Sequence, residues 1–211
     1  MMISMPCLPH RMILVIVGIA LLSTACSPLP SLPAQPQAMT LLTIDVPALL
    51  PVQMPSKESV LQFNHVEAVA ALRNTHMLYR RRGPVMNRYA YHRWLVMPAE
   101  LIDQAFMQSL APQLPYTTVV RPEQGLVADY ALSLVLLKLE QEFVSGDRSL
   151  EHLEMQAQLM DLDRHRVIAS HLFSYREVAP KATAVGGAMA AGIALGHLFN
   201  DLQIWLSEVD H

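Results

Sequence analysis

Tyr130-Ala131-Leu132-Ser133-Leu134-Val135-Leu136-Leu137-Lys138-Leu139-Glu140-Gln141-Glu142-Phe143 is the stretch that decides the fold. Side chains alternate across a strand, so Tyr130, Leu132, Leu134 and Leu136 share one face while Ala131, Val135 and Leu137 share the other. A strand that is apolar on both faces belongs in the middle of a sheet. From Lys138 the pattern becomes polar-alternating, which predicts that the strand runs out beyond the covered part of the sheet.

The flanking segments extend this sheet. After Ser145-Gly146-Asp147, Leu153, Met155, Ala157 and Leu159 alternate with Glu154, Gln156 and Gln158, the signature of a half-buried strand. Asp161 to Arg166 turns the chain and Val167 to Val178 returns as its partner, in a register the pattern leaves open. Upstream, Leu41 to Val46 is a first strand stopped by Pro47, followed by a proline-broken loop through Pro51 and Pro55, and Ser59 to Ala70 is a weakly alternating second strand. Thr75 to Tyr79 and Val85 to Trp94 flank Gly83-Pro84 as a hairpin. In its second arm Tyr89, Tyr91 and Arg93 oppose Arg88, Ala90, His92 and Trp94, with one face expected to be buried.

Two helices complete the reading. Pro98 opens the first, with Leu101, Ile102, Ala105, Phe106, Ser109 and Leu110 on one stripe, and it ends before Pro115. Tyr116 to Val120 is a short strand. Ala182 to Leu206 is the second helix, because Leu195, Leu198, Phe199, Leu202, Trp205 and Leu206 recur at three and four. Its first half holds Gly186, Gly187, Gly192 and Gly196, each costing about 1 kcal/mol in helix propensity against Ala, so close packing on the sheet or on a neighbouring subunit is expected. A membrane-inserted hairpin is the competing reading, opposed by His197, Asn200 and Asp201. The fold class is α+β, a mixed, mainly antiparallel sheet with two helices packed on one face.

The amino-terminal region follows a different logic. Arg11 precedes the apolar stretch Met12 to Leu22, then small residues lead to Cys26. About eleven apolar residues span only ~17 Å as a helix against a hydrocarbon core of ~30 Å, too short for a resident span. The order is that of a lipoprotein signal peptide over residues 1–25, with Leu22 and Ala25 as signal-peptidase recognition residues and Cys26 as the lipidation site. Leu22 stands one step further from the cysteine than usual, with Ser23 in the expected place; an ordinary secretory peptide is the alternative. Ser27 after the cysteine favours the outer membrane. Cys7 would be discarded, so the mature chain keeps one cysteine and forms no internal disulfide. Residues 26–40 carry Pro28, Pro30, Pro33 and Pro36 and read as an acylated, proline-rich tether, leaving 41–211 as the folded domain.

Composition narrows the function. The 15 basic and 18 acidic residues give a net charge of −3, or −4 once Arg11 is lost, so nothing suggests nucleic acid. Arg80-Arg81-Arg82 is the one dense basic run, either a solvated strand end or a patch for acidic headgroups or an acidic partner surface. Nine histidines lack metal-ligand spacing, although His152 and His171 could approach across the late hairpin with His165 at its turn. Ser145-Gly146-Asp147 lacks the context of a nucleophile turn, Gly186-Gly187 is no phosphate loop, and Asp161 and Asp163 flank a turn. No catalytic residue, metal site or cofactor is expected.

Met77-Leu78-Tyr79-Arg80, Tyr89-Ala90-Tyr91-His92-Arg93-Trp94, Pro98-Ala99-Glu100-Leu101-Ile102, Asp129-Tyr130-Ala131-Leu132 and Trp205-Leu206 resemble, in order and spacing, the ABC-type transport auxiliary lipoprotein family, the PqiC-like group. The resemblance implies a non-catalytic periplasmic component of a lipid-trafficking system. It would work with a mammalian-cell-entry (MCE) domain protein and an inner-membrane ABC permease and ATPase, from an outer-membrane tether facing the periplasm. Some such proteins form rings, which implies a possible homo-oligomer. Tyr79, Arg80, Tyr89, Trp94 and Trp205 are the candidate partner-binding residues, the alternative being buried aromatics that hold helices to sheet. A lipid-carrying lipoprotein and an outer-membrane assembly lipoprotein are the alternative functions.

Overall fold

A computed structural model describes residues 37–50, 56–81 and 83–209. The leader, Leu22, Ala25, Cys26, most of the tether, the loop through Pro51 and Pro55, and Arg82 lie outside the described residues. Nine strands among the described residues join in one sheet: β1 (Thr40–Leu42), β2 (Lys57–Phe63), β3 (Glu67–Ala68), β4 (His76–Arg80), β5 (Met86–Trp94), β6 (Tyr116–Val120), β7 (Tyr130–Ser145), β8 (Arg148–Asp161) and β9 (Arg166–Val178). Helix α1 spans Pro98–Ala105 and continues through a π turn, and α2 spans Ala184–Glu208.

The doubly apolar segment is the spine. β7 pairs along its length with β8, antiparallel, and β8 pairs likewise with β9. Its other edge is shared by three short strands, all parallel to it: β2 at Tyr130–Leu132, β3 at Val135–Leu136 and β4 at Gln141–Glu142. β6 extends the sheet beside β2, while β5 and then β1 extend it beside β4, so the sheet branches at β7. The long antiparallel ladders carry most residue pairs, and the parallel pairings are an addition that no turn signal announces. The weak second strand is two strands, β2 and β3, interrupted at Asn64–Val66.

Both helices cover one face. Leu132, Leu134, Leu136 and Leu139 stand opposite Leu159, Ala157, Met155 and Leu153, and all are buried. Over them lie Leu195, Leu198, Leu202 and Leu206 of α2, each burial contributing about 1.5–3 kcal/mol. Phe106 joins α1 to the rest, stacked on Phe63 with ring centroids 3.6 Å apart and edge-on to Phe199 at 6.1 Å.

Two expectations need correction. The half of β7 beyond Lys138 does not leave the covered sheet: Glu140, Gln141, Glu151 and His152 are all buried there. Neither face of the β5 arm is buried along its length. Tyr91 is exposed, Tyr89 is half-buried against the core, and only Trp94, at the end, is fully buried, because β5 is flanked on its outer side by a strand of three residues.

The glycines of α2 accommodate backbone. After β1 the chain crosses to α2, where a Cβ on Gly192 would lie 2.1 Å from the Asp45 carbonyl oxygen and one on Gly196 would lie 2.9 Å from Pro47 Cγ. The Leu50 N–H then donates to Asn200 Oδ1 at 3.1 Å. The close packing expected of this half is thus partly against the protein's own amino-terminal segment. We expect Gly192→Ala to destabilise the domain by about 2 kcal/mol or more in urea denaturation, despite alanine's better helix propensity, and Gly196→Ala to cost less because a proline ring edge can shift. A neutral or stabilising Gly192→Ala would show that the segment is not pressed onto the helix.

Candidate functional site

The five candidate partner-binding residues fall in three places. Tyr79 and Tyr89 come together on the β4–β5 hairpin, ring centroids 4.7 Å apart, and Tyr79 also meets Phe143 of β7 edge-on at 5.6 Å. Arg80, next along β4, donates to the buried Glu140 of β7. Trp94 sits at the far end of β5, 2% exposed, with its ring in the core. Trp205 lies on α2 against β9, edge-on to Phe173 at 6.3 Å and near His171 at 6.2 Å. Its groove, about 390 Å³, also takes in Tyr175, whose hydroxyl donates to Asp201 Oδ2 at 2.5 Å.

A polar cluster that the sequence reading missed ties the first group together. The Tyr89 hydroxyl donates to Gln141 Oε1 at 2.6 Å, and Gln141 Nε2 donates to Ser149 Oγ at 2.7 Å and to the Thr183 carbonyl at 3.2 Å. Gln141 therefore joins β5, β7, β8 and the N-cap of α2, where Thr183 Oγ1 accepts from the Gly186 N–H. Glu151 stands opposite Gln141 on β8 and is 2% exposed. Burial first, and then the nearby Glu140 carboxylate, hold its pKa well above the ordinary carboxylic range. Burial, helped by Glu151, likewise raises the Tyr89 phenol. Gly187 makes room for this cluster, since a Cβ there would lie 2.7 Å from Gln141 Oε1 and 3.1 Å from Glu151 Oε2.

The opposite face carries a second set. Glu154 accepts from Lys138 Nζ at 2.9 Å and lies 2.8 Å from His152 Nε2. Burial lowers the His152 pKa, with Lys138 acting in the same direction. His152 stands opposite Arg176 and His171 opposite Ala157, on different faces of the sheet, so the histidines of the late hairpin do not converge. Among the described residues no three His, Cys, Asp or Glu side chains are grouped to hold a metal ion. Asp161 fastens the β8–β9 turn by accepting from the Arg164 N–H at 2.9 Å and its guanidinium at 2.7 Å.

Two further clefts complete the surface. An apolar groove of about 480 Å³ lies between the segment after β1 and α2, lined by Leu41, Leu42, Val46, Val185, Met189 and Ile193. A cleft of about 430 Å³ opens at the β7–β8 turn beside Arg81 and Lys181. No described helix is long and apolar enough to cross a membrane.

The class these elements define is an α+β domain with a branched, mixed sheet, and solved structures share it. The protein XCC0632 of Xanthomonas campestris superposes with a TM-score of 0.72 at 17% identity, over 80% of this chain and 94% of that one. An uncharacterised protein gives 0.60 at 13% identity, over 78% and 99%. No curated protein sequence matches. The chain itself belongs to the ABC-type transport auxiliary lipoprotein component family, whose model matches residues 33–202. Membership places it among the lipid-anchored proteins of the cell envelope, associated with an ABC transport system.

The buried carboxyl sets a pH test. A folded-state pKa above the unfolded value means the native protein binds more protons, so stability falls as pH rises above about 4.5, where the unfolded side chain ionises. Glu151→Gln removes that dependence. Its stability advantage over the parent should be absent near pH 4 and grow with a slope of at most about 1.4 kcal/mol per pH unit, measured by denaturant titration at successive pH values. Parallel curves for the two proteins from pH 4 to 8 would contradict the raised pKa of Glu151.

Proposed function

We propose that this protein is a non-catalytic adaptor of an MCE-linked ABC-type lipid transport system, held by acyl groups on Cys26 in the outer membrane and facing the periplasm. The observation that carries this reading is the family match over residues 33–202, which begins shortly after Cys26 and the preceding residues 1–25 that read as a lipoprotein signal peptide. Several acyl chains, each methylene worth about 0.8 kcal/mol, hold far more firmly than a single one. The side chains argue for structure over chemistry: Gln141, Glu140 and Arg80 are engaged in joining strands to one another and to α2. The adaptor acts by confinement, the tether letting the domain search while the anchor raises its effective concentration near the MCE partner.

Cys26→Ala should release the protein from the membrane fraction and abolish co-purification with the MCE protein from intact envelopes, without altering the fold. Undiminished membrane retention would remove the anchor. The apolar groove of about 480 Å³ favours a second reading, in which the domain shields an acyl chain. Native mass spectrometry of gently purified protein separates the two, since a carrier retains lipid and an adaptor does not.

A further inference from the structure

One end of the sheet gathers cations and exposed apolar side chains. The β4–β5 turn, the β7–β8 turn and the start of α2 meet there, because Arg80 stands opposite both Met86 and Glu142, and the turn at Ser145–Arg148 lies just beyond. The Arg81 guanidinium sits 5.2 Å from the centroid of the Phe143 ring. Beside it opens the cleft of about 430 Å³, lined by Arg81, Phe143, Pro180, Lys181 and Thr183, with Asp147 on its wall. Arg148 is also exposed at this end, and Glu142 is occupied by Arg176 at 3.6 Å. Val85, Met86 and Val144 are 63%, 43% and 46% exposed around the cations. In a chain whose net charge is negative, this is a local positive field with an apolar floor.

The chain direction gives the same end a neighbour. β1 runs parallel to β5 with Thr40 opposite His92, so the amino-terminal end of β1 faces the Met86 end of β5. The six residues from His92 back to Met86 cover about 20 Å. Fourteen residues separate Cys26 from Thr40, a span of about 20 Å as a flexible coil and at most about 43 Å when fully extended. A chain of that length is long enough for an acyl group on Cys26 to reach the level of the two turns. The geometry points to this end as a docking surface for anionic phospholipid headgroups of the same bilayer that holds the anchor. Arg81 and Lys181 take the phosphates, and Val85, Met86 and Val144 meet the interface. The domain then stands on the membrane by its turns, with the β8–β9 turn directed away. This inference rests on the lipid-anchored reading.

The test uses the full, acylated chain. Cys26 is the only cysteine after the leader, so Val144→Cys supplies a single free thiol for a fluorophore. The labelled protein is incorporated into vesicles of phosphatidylcholine alone or with one-third phosphatidylglycerol, each carrying a headgroup quencher. Docking predicts strong quenching on the anionic vesicles, weak quenching on the neutral ones, and loss of the difference at about 1 M salt, where the screening length is about 3 Å. Each basic side chain near an anionic surface contributes about five-fold to partitioning, so Arg81→Gln with Lys181→Gln should lower the docked-to-free ratio about 25-fold. A probe at Asp163→Cys, in the β8–β9 turn, should stay unquenched throughout. Equal quenching on both vesicles, an unaffected double variant, or equal quenching at Asp163 would overturn the proposal. So would shielding of the Val144 probe by the MCE partner on neutral vesicles without any response to anionic lipid, which would assign the cleft to an acidic protein surface. Protein that failed to float with vesicles at all would overturn the anchor and this inference together, whereas protein that floats with an unquenched tip overturns the docking alone.

Discussion

A long central strand has hydrogen-bonding groups on both edges, and each buried one must find a partner. β7 imposes that requirement for sixteen residues. β8 meets it on one side through a tight turn at Gly146. On the other side no single strand of comparable length exists, so three short ones divide the edge between them. β2, β3 and β4 lie along the edge of β7 one after another in their chain order, and the Asn64 and Val69 N–H groups donate to the Leu132 and Leu136 carbonyls just past β2 and β3. Each short strand then recruits its own neighbour, β6 beside β2 and β5 beside β4, and the branching follows from the one unsatisfied edge.

The same constraint explains why polar side chains are buried at the far end of β7. There α2 starts, and its first half is too slender to fill space with its own side chains. Gln141 and Glu151 occupy the gap left by Gly187, and the amide of Gln141 satisfies the hydroxyl of Tyr89, the hydroxyl of Ser149 and a carbonyl at the helix start. An apolar side chain at 141 would leave these groups without partners, which costs about 1–3 kcal/mol for each one buried. Polarity here is a consequence of joining a helix end to three strands.

What could be read from the sequence follows from this division. β7 was legible because Leu132 to Leu137 is apolar on both faces, the β4–β5 hairpin because Gly83-Pro84 separates its arms, and α2 because its second half repeats at three and four. The pairing of Tyr79 with Tyr89 follows from the hairpin. The parallel contacts of β2, β3 and β4 with β7 link segments more than sixty residues apart and leave no local mark. Glu140, Gln141 and Glu151 were missed because polar alternation normally means exposure, and the chain does not announce that Gly187 of α2 will sit on Gln141 and Glu151 or that Arg80 will meet Glu140. The amino-terminal leader was read from residue order, a signal that needs no tertiary contact.

The fastening of the amino-terminal segment bears on what an anchored domain must withstand. β1 holds β5 through three residue pairs at an open edge, and such a pairing alone would fray under any pull transmitted along a tether. The protein continues that hold inward. Leu42 accepts from the Leu95 N–H at 2.8 Å, Ile44 is buried in the core, Asp45 and Pro47 rest on the glycine row of α2, and Leu50 donates to Asn200. Load applied at Thr40 is thus shared with the helix that covers the central strands, and peeling β1 requires lifting the segment off Gly192 and Gly196. The glycines that weaken α2 as an isolated helix are what let the root of the tether bear on the core.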